Sequence, residues 1–172
     1  MGYDFKVTVV EATGLPNKDG LFNKSDPYVE LYGCARASAV DGGEPDWSAK
    51  ERVVTKTVSG TLDPKFDESF QMAVKDPEDV VYFRVFDCNM MKDKLMGTAC
   101  LSAAEFVSGT ETERKLQIVG TNYKRPDAGC LRVRVTAAFN GALANLTHEV
   151  DRMSRENDTF AANNKRLEGA IN

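Results

Sequence analysis

Apolar and polar positions alternate along most of this chain and switch to helical spacing near its end. Phe5-Lys6-Val7-Thr8-Val9-Val10 opens the alternating series. Tyr28–Tyr32, Arg52–Val58, Phe66–Val74, Val80–Phe86, Leu95–Leu101, Arg114–Ile118 and Leu131–Phe139 continue it. A period of two sends neighbouring side chains to opposite faces. The β-branched and aromatic residues in these runs suit such a half-buried surface, and Gly, Pro, Asp and Asn fill the gaps. The pattern predicts an all-β fold, an eight-stranded antiparallel β-sandwich over residues 1–140, with one helical turn near Ser102–Val107. Residues 34–51 carry Gly42-Gly43 and Pro45 and no strand pattern, which predicts a mobile loop.

Residues 141–172 follow a different rule. Leu143, Leu146, Val150, Met153, Asn157, Phe160, Asn164, Leu167 and Ile171 are spaced alternately three and four apart, the seam of a coiled-coil helix. Such a helix would be a rod of roughly 40–45 Å. With Leu143 at position a, Asn157 and Asn164 also fall at a, where buried Asn fixes register and a two-stranded state. The flanking charge pairs are missing, so an amphipathic helix lying on the domain stands beside the coiled coil, formed with itself or with a partner. The seam runs to the last residues, as it would in a longer coiled coil.

Composition narrows the function classes. The 172 residues are 42% hydrophobic, enough for a real core, and carry a formal net charge of −4. That balance argues against nucleic acid as a partner, which calls for a basic face. The N-terminus lacks a signal-peptide pattern and no apolar run is long enough to span a bilayer, so a cytoplasmic location is expected. Cys34, Cys88, Cys100 and Cys130 have no C-x-x-C spacing and His148 is the one histidine, so a zinc site is not expected. The cysteines read as reduced thiols, mostly small core residues on strands. No nucleophile motif or phosphate loop is present, so an enzyme is not expected.

Oxygen-bearing residues gather between strands one and two (Asn17–Asp26), three and four (Gly60–Pro64), and five and six (Asp87–Asp93). In an up-and-down progression these loops share one end. Ca²⁺ takes about 6–8 oxygens in a flexible cage. Asp87 and Asn89 straddle a turn where both can face one cavity while Cys88 offers its carbonyl. Asp and Asn are also ordinary turn formers, but acidic loops that carry apolar tips are harder to explain that way.

Ser25-Asp26-Pro27-Tyr28-Val29-Glu30-Leu31, Leu62-Asp63-Pro64-Lys65-Phe66-Asp67-Glu68-Ser69-Phe70, Phe86-Asp87-x-Asn89 and Met96-Gly97-Thr98-Ala99 together resemble a C2 domain over about residues 3–140. The third loop looks most like that of the calcium-dependent cytosolic phospholipases and implies their permuted, type II topology. The resemblance implies Ca²⁺ ligation by Asp26, Asp87 and Asn89, with Asp93 joining them. Asp19 or Asn23 would supply the remaining first-loop oxygen. Asp63 replaces the family Asn and is expected to hold a turn. Lys94 stands where many C2 domains place another Asp, implying one well-occupied Ca²⁺ site plus a weaker one.

Leu21 and Phe22 in the first loop and Met90 and Met91 in the third are large apolar residues inside polar loops, a pattern that points to membrane insertion. Folding back as loop plugs is the competing reading. Lys50, Arg52, Lys56 and Arg84 form a basic set that could meet lipid headgroups or simply be a solvated strand face. The resulting expectation is a Ca²⁺-dependent module that binds anionic or zwitterionic phospholipid membranes and recruits a coiled-coil partner or homodimer. The alternative is a calcium-independent C2 protein-interaction scaffold.

Overall fold

The computed structural model describes residues 3–20, 23–34, 52–74, 79–105, 109–121, 127–139 and 153. The alternating runs form β1 (Tyr3–Thr13), β2 (Pro27–Cys34), β3 (Val53–Val54), β4 (Lys65–Val74), β5 (Val80–Asp87), β6 (Lys94–Ser102), β7 (Glu111–Gly120) and β8 (Asp127–Phe139). The turn near Ser102 is a 3-10 helix at Ala103–Glu105. Contacts divide the chain into Gly2–Ala138 and a second unit beginning at Phe139. Of the heptad stripe, Met153 is described; it is helical and exposed. Leu143, Leu146, Val150, Asn157, Phe160, Asn164, Leu167 and Ile171 lie outside the described residues. So do residues 35–51 of the expected mobile loop, which include Lys50.

Strands hydrogen-bond in the order β3-β2-β5-β6-β7-β8-β1-β4. This corrects the up-and-down progression, because β1 and β2 are not neighbours and the chain crosses between halves after β1, β3 and β4, while the third loop joins the neighbours β5 and β6. The ladder joining β6 to β7 has two residue pairs, Gly97↔Gly120 and Thr98↔Val119. There the sheet turns a corner, so β3-β2-β5-β6 and β7-β8-β1-β4 become two layers over one core. Gly97 permits the corner: a Cβ on it would sit 2.6 Å from Ile118 Cγ2 and 2.7 Å from the Val119 carbonyl oxygen. Gly129 has φ +88°, and a Cβ there would strike the Thr13 carbonyl oxygen.

Alternation places the core. Phe5, Val7 and Val9 of β1, Val29 and Leu31 of β2, Val81, Phe83 and Val85 of β5, and Leu131, Val133 and Val135 of β8 are buried in one cluster. Burying side chains of this size stabilises a fold by about 1.5–3 kcal/mol each. Asp67 of the FDESF run has φ 49°, a left-handed conformation that Asp tolerates. It coincides with the register shift of β4 against β1 between Val9 and Glu11, so this Asp serves a bulge.

Two sequence expectations change here. The third strand's ladder covers Val53–Val54 and not Arg52–Val58, beyond which the Thr55 and Val58 N–H groups reach the Val29 and Pro27 carbonyl oxygens at 2.9 and 3.0 Å. The Thr55 hydroxyl oxygen accepts the Val29 N–H at 3.0 Å, taking a donor that a continuing ladder would use. Cys88, Cys100 and Cys130 are not core residues. Cys88 lies exposed in a loop, Cys100 points outward between buried Ala99 and Leu101, and Cys130 is half-buried.

Candidate metal and membrane site

The loop after β1 (14–26), the segment after β3 (55–64) and the loop after β5 (88–93) are tied together at one end of the sandwich. Leu15 N–H donates to the Leu62 carbonyl oxygen at 3.0 Å, and Thr61 N–H to that of Ser25 at 3.0 Å. Cys88 N–H reaches the Asp26 carbonyl oxygen at 2.9 Å. Asp63 N–H donates to Thr61 Oγ1 at 3.0 Å within its turn, and Asp63 Oδ1 accepts the Gly14 N–H at 2.8 Å across the loops. The crossings after β1 and β3, with the β2–β5 ladder that sets Pro27 opposite Asp87, thus bring together the same three loops that the sequence selected.

Asp26 and Asp87 form the centre. Asp87 ends β5 with its side chain buried, where Oδ1 accepts the Asp26 N–H at 2.8 Å. Its other oxygen, Oδ2, is buried with no hydrogen-bond partner among the described residues. Asp26 Oδ1 accepts the Gly60 N–H at 2.6 Å. Asn89 donates from Nδ2 to the Asp87 carbonyl oxygen at 3.0 Å, which leaves its Oδ1 as an acceptor. Asp93 is engaged on both oxygens, by the Asn89 N–H at 2.8 Å and the Tyr28 hydroxyl at 2.7 Å. Those two bonds, the Asn89 one foremost, hold the Asp93 carboxyl below its ordinary range. Burial, then the Asp93 bond, pushes the Tyr28 phenol up.

The first loop is closed from within. Asn17 Nδ2 donates to the carbonyl oxygens of Gly20 and Asn23, and Lys18 N–H donates to the buried Ser25 hydroxyl at 2.9 Å. Asn23 itself is exposed. Asp19 Oδ1 faces the Lys94 ammonium at 3.4 Å, and the same ammonium donates to the Lys18 carbonyl oxygen at 3.0 Å. Among the described residues, no three His, Cys, Asp or Glu side chains converge at metal-binding distance. The carboxylates that come nearest to a cation cage are Asp26 and Asp87, linked through a backbone N–H, with Asn89 beside them.

Met90 and Met91 at the tip of the third loop are 106% and 100% exposed. They are therefore not loop plugs. Leu21 and Phe22 lie outside the described residues. In the basic set, Arg84 donates to Glu30 Oε2 at 2.7 and 3.2 Å and lies over the Phe86 ring at 5.1 Å. Its job is to neutralise the buried Glu30 carboxylate. Arg52 stands 3.8 Å from the other Glu30 oxygen with an exposed side chain, and Lys56 is exposed.

Sequence reasoning missed Asn17, Ser25 and Tyr28 as organisers of this end. Tyr28, which stacks on Phe86 at 5.5 Å, sits inside the SDPYVEL run, and Ser25 begins it. The motif was the available signal, but strand alternation assigned Tyr28 only a face and no partner.

The C2 domain family model matches residues 3–118. The chain belongs to the C2 domain family. This C2 domain is 31% identical over 104 residues to Protein C2-DOMAIN ABA-RELATED 11 of Arabidopsis thaliana, covering 60% of this chain and 52% of that protein. The match thus spans about half the length of that curated relative. Among solved structures, a C2 domain of plant Extended Synaptotagmin 1 superposes with TM-score 0.65 and 25% identity, over 80% of this chain and 95% of that one. Human GIVD cytosolic phospholipase A2 matches with TM-score 0.61 and 19% identity, over 81% of this chain and 17% of the enzyme. The calcium-bound tandem C2 domains of Extended-Synaptotagmin 2 match with TM-score 0.59 and 18% identity, over 78% of this chain and 45% of that one. The last two likenesses concern the fold. C2 domains are regulatory binding modules, and the phospholipase is matched only over a domain-sized part of its length. Among the described residues no helix is long and apolar enough to cross a membrane.

Proposed function

We propose that this C2 domain binds Ca²⁺ between its first and third loops and docks through that end on a phospholipid surface. The observation that carries the reading is Asp87 Oδ2, a carboxylate oxygen buried without a partner among the described residues. A buried anionic oxygen is costly unless a cation or a donor meets it. Asp26, Asp87, Asn89 and the Cys88 carbonyl are the oxygens that would hold the ion. Asp19, Asn23 and Asp93 stand around them on the same loops. Bound there, Ca²⁺ supplies positive charge and open coordination positions that lipid phosphate oxygens can fill. Met90 and Met91, exposed beside it, supply apolar surface for the acyl–headgroup boundary.

Co-sedimentation of the full chain with neutral and with anionic vesicles, in Ca²⁺ and in chelator, tests this. Binding in Ca²⁺ that falls several-fold on chelation is expected. Equal binding in both would reject the calcium reading and leave the calcium-independent interaction scaffold, which the Lys94–Asp19 ion pair favours.

The heptad stripe of residues 143–171 would join two such heads, or one head to a coiled-coil partner, adding avidity at the membrane. Sedimentation equilibrium of the full chain, and of a form ending at Gly141, is expected to show a dimer only for the former. Monomers in both at tens of micromolar would remove self-association.

A further inference from the structure

The Lys94 ammonium makes two contacts that a hard cation would make. It lies 3.0 Å from a backbone carbonyl oxygen, that of Lys18, and 3.4 Å from a carboxylate oxygen, Asp19 Oδ1. Both oxygens belong to the first acidic loop, while Lys94 begins β6 at the end of the third. The ammonium therefore spans the two loops whose oxygens are the candidates for Ca²⁺. Its register partner across the β5–β6 ladder is Asp87, whose buried Oδ2 has no partner among the described residues. A compact, strongly hydrated point charge on a four-carbon stem can neutralise oxygens at a loop end without any ion from solution.

We propose that Lys94 is a built-in cation that fills one of the cation positions of this loop end, so that the loops hold one Ca²⁺ fewer than their oxygens would otherwise accept. It deepens the calcium reading and rests on it for the count in the natural chain. Asp19 is then taken up by Lys94, and Asp26, Asp87 and Asn89 remain for the ion from solution. Asp19 and Asn23 stood as alternatives for the first-loop ligand; with Asp19 engaged, the choice in the natural chain passes away from Asp19. The tether also holds the first and third loops together in the absence of Ca²⁺, which shortens the rearrangement needed when the ion arrives.

Calorimetric titration of the full chain with CaCl₂ tests this with three proteins: the natural chain, Lys94→Gln and Lys94→Asp. Circular-dichroism melts establish that each is folded. One site is expected for the natural chain. Lys94→Gln should show two, the second weaker. Lys94→Asp should show two, the second at least about tenfold tighter than in Lys94→Gln because ligand charge sets affinity. The same number of sites in all three proteins overturns the proposal. A gain in Lys94→Asp alone overturns it as well, since the new carboxylate would then have built the site. No site in the natural chain but one in Lys94→Gln defeats the calcium reading of the natural chain while supporting Lys94 as the ion's substitute.

Discussion

Asp87→Asn is expected to weaken Ca²⁺ binding by about 100-fold or more while leaving the metal-free domain as stable as before, or slightly more so. Loop-cage affinity spans decades with the number of charged ligands, so removing the central carboxylate falls on affinity first. The stability side follows from the unequal use of the two Asp87 oxygens. Oδ1 accepts the Asp26 N–H at 2.8 Å, a bond that Asn can keep. Oδ2 is buried without a partner among the described residues, so the native carboxylate carries a desolvation cost there. Neutralising it relieves that cost, and the new amide N–H₂ gives part of it back by being unpartnered in turn. The balance is a gain of at most about 1 kcal/mol. Calorimetry with CaCl₂ and thermal melts in chelator read the two effects separately. Unchanged Ca²⁺ affinity would remove Asp87 from the site. A fall of many degrees in the metal-free melt would make it a structural acceptor instead.

Changing Met90 and Met91 together to Ser should lower vesicle partitioning in Ca²⁺ by roughly 10–100-fold, with thermal stability and lipid-free Ca²⁺ affinity unchanged. Complete burial of a side chain of this kind is worth about 1.5–3 kcal/mol, and a loop tip at the interface recovers part of that. Both residues are fully exposed in the folded chain, so neither contributes packing that Ser would lose. Vesicle titrations and melts on the same variant decide the matter. Unchanged partitioning would rule the tip out as a membrane contact, and a lowered melting temperature would show that the side chains pack within the domain.

The strands were legible because each buries one face. Phe5, Val7 and Val9, or Leu131, Val133 and Val135, announce a period of two that admits no other element of that length. The third strand was overextended because Thr55 looks like any β-branched strand residue. Only its position opposite Val29 turns its hydroxyl into a competitor for the ladder. The cysteines were misplaced for a related reason. Cys100 is small and apolar enough for either face, and alternation with Ala99 and Leu101 sent it outward.

At the loop end the sequence marked Asp26, Asp87, Asn89 and Asp93 as oxygen donors, and the fold brings their loops together. It could not rank them, because that depends on which donors the rest of the chain has already used. Tyr28 and the Asn89 backbone engage Asp93, while Asp87 keeps one oxygen without a partner among the described residues. In the basic set, amino-acid order left headgroup contact and a solvated strand face both open for Arg84, and the fold lays Glu30 beside it at 2.7 Å.

Amino-acid order alone determined the alternation, the turn residues and the three acidic loops, since these depend on neighbours a few positions apart. Only the tertiary structure decided that the sheet folds at Gly97, that Asp87 is buried beside Asp26, and that Lys94 reaches Asp19. Those pairings join residues 61 and 75 positions apart. The first follows from the β2–β5 ladder, which sets Pro27 opposite Asp87, and the second from the crossing after β1 that carries its loop to the start of β6; local pattern carries no record of either.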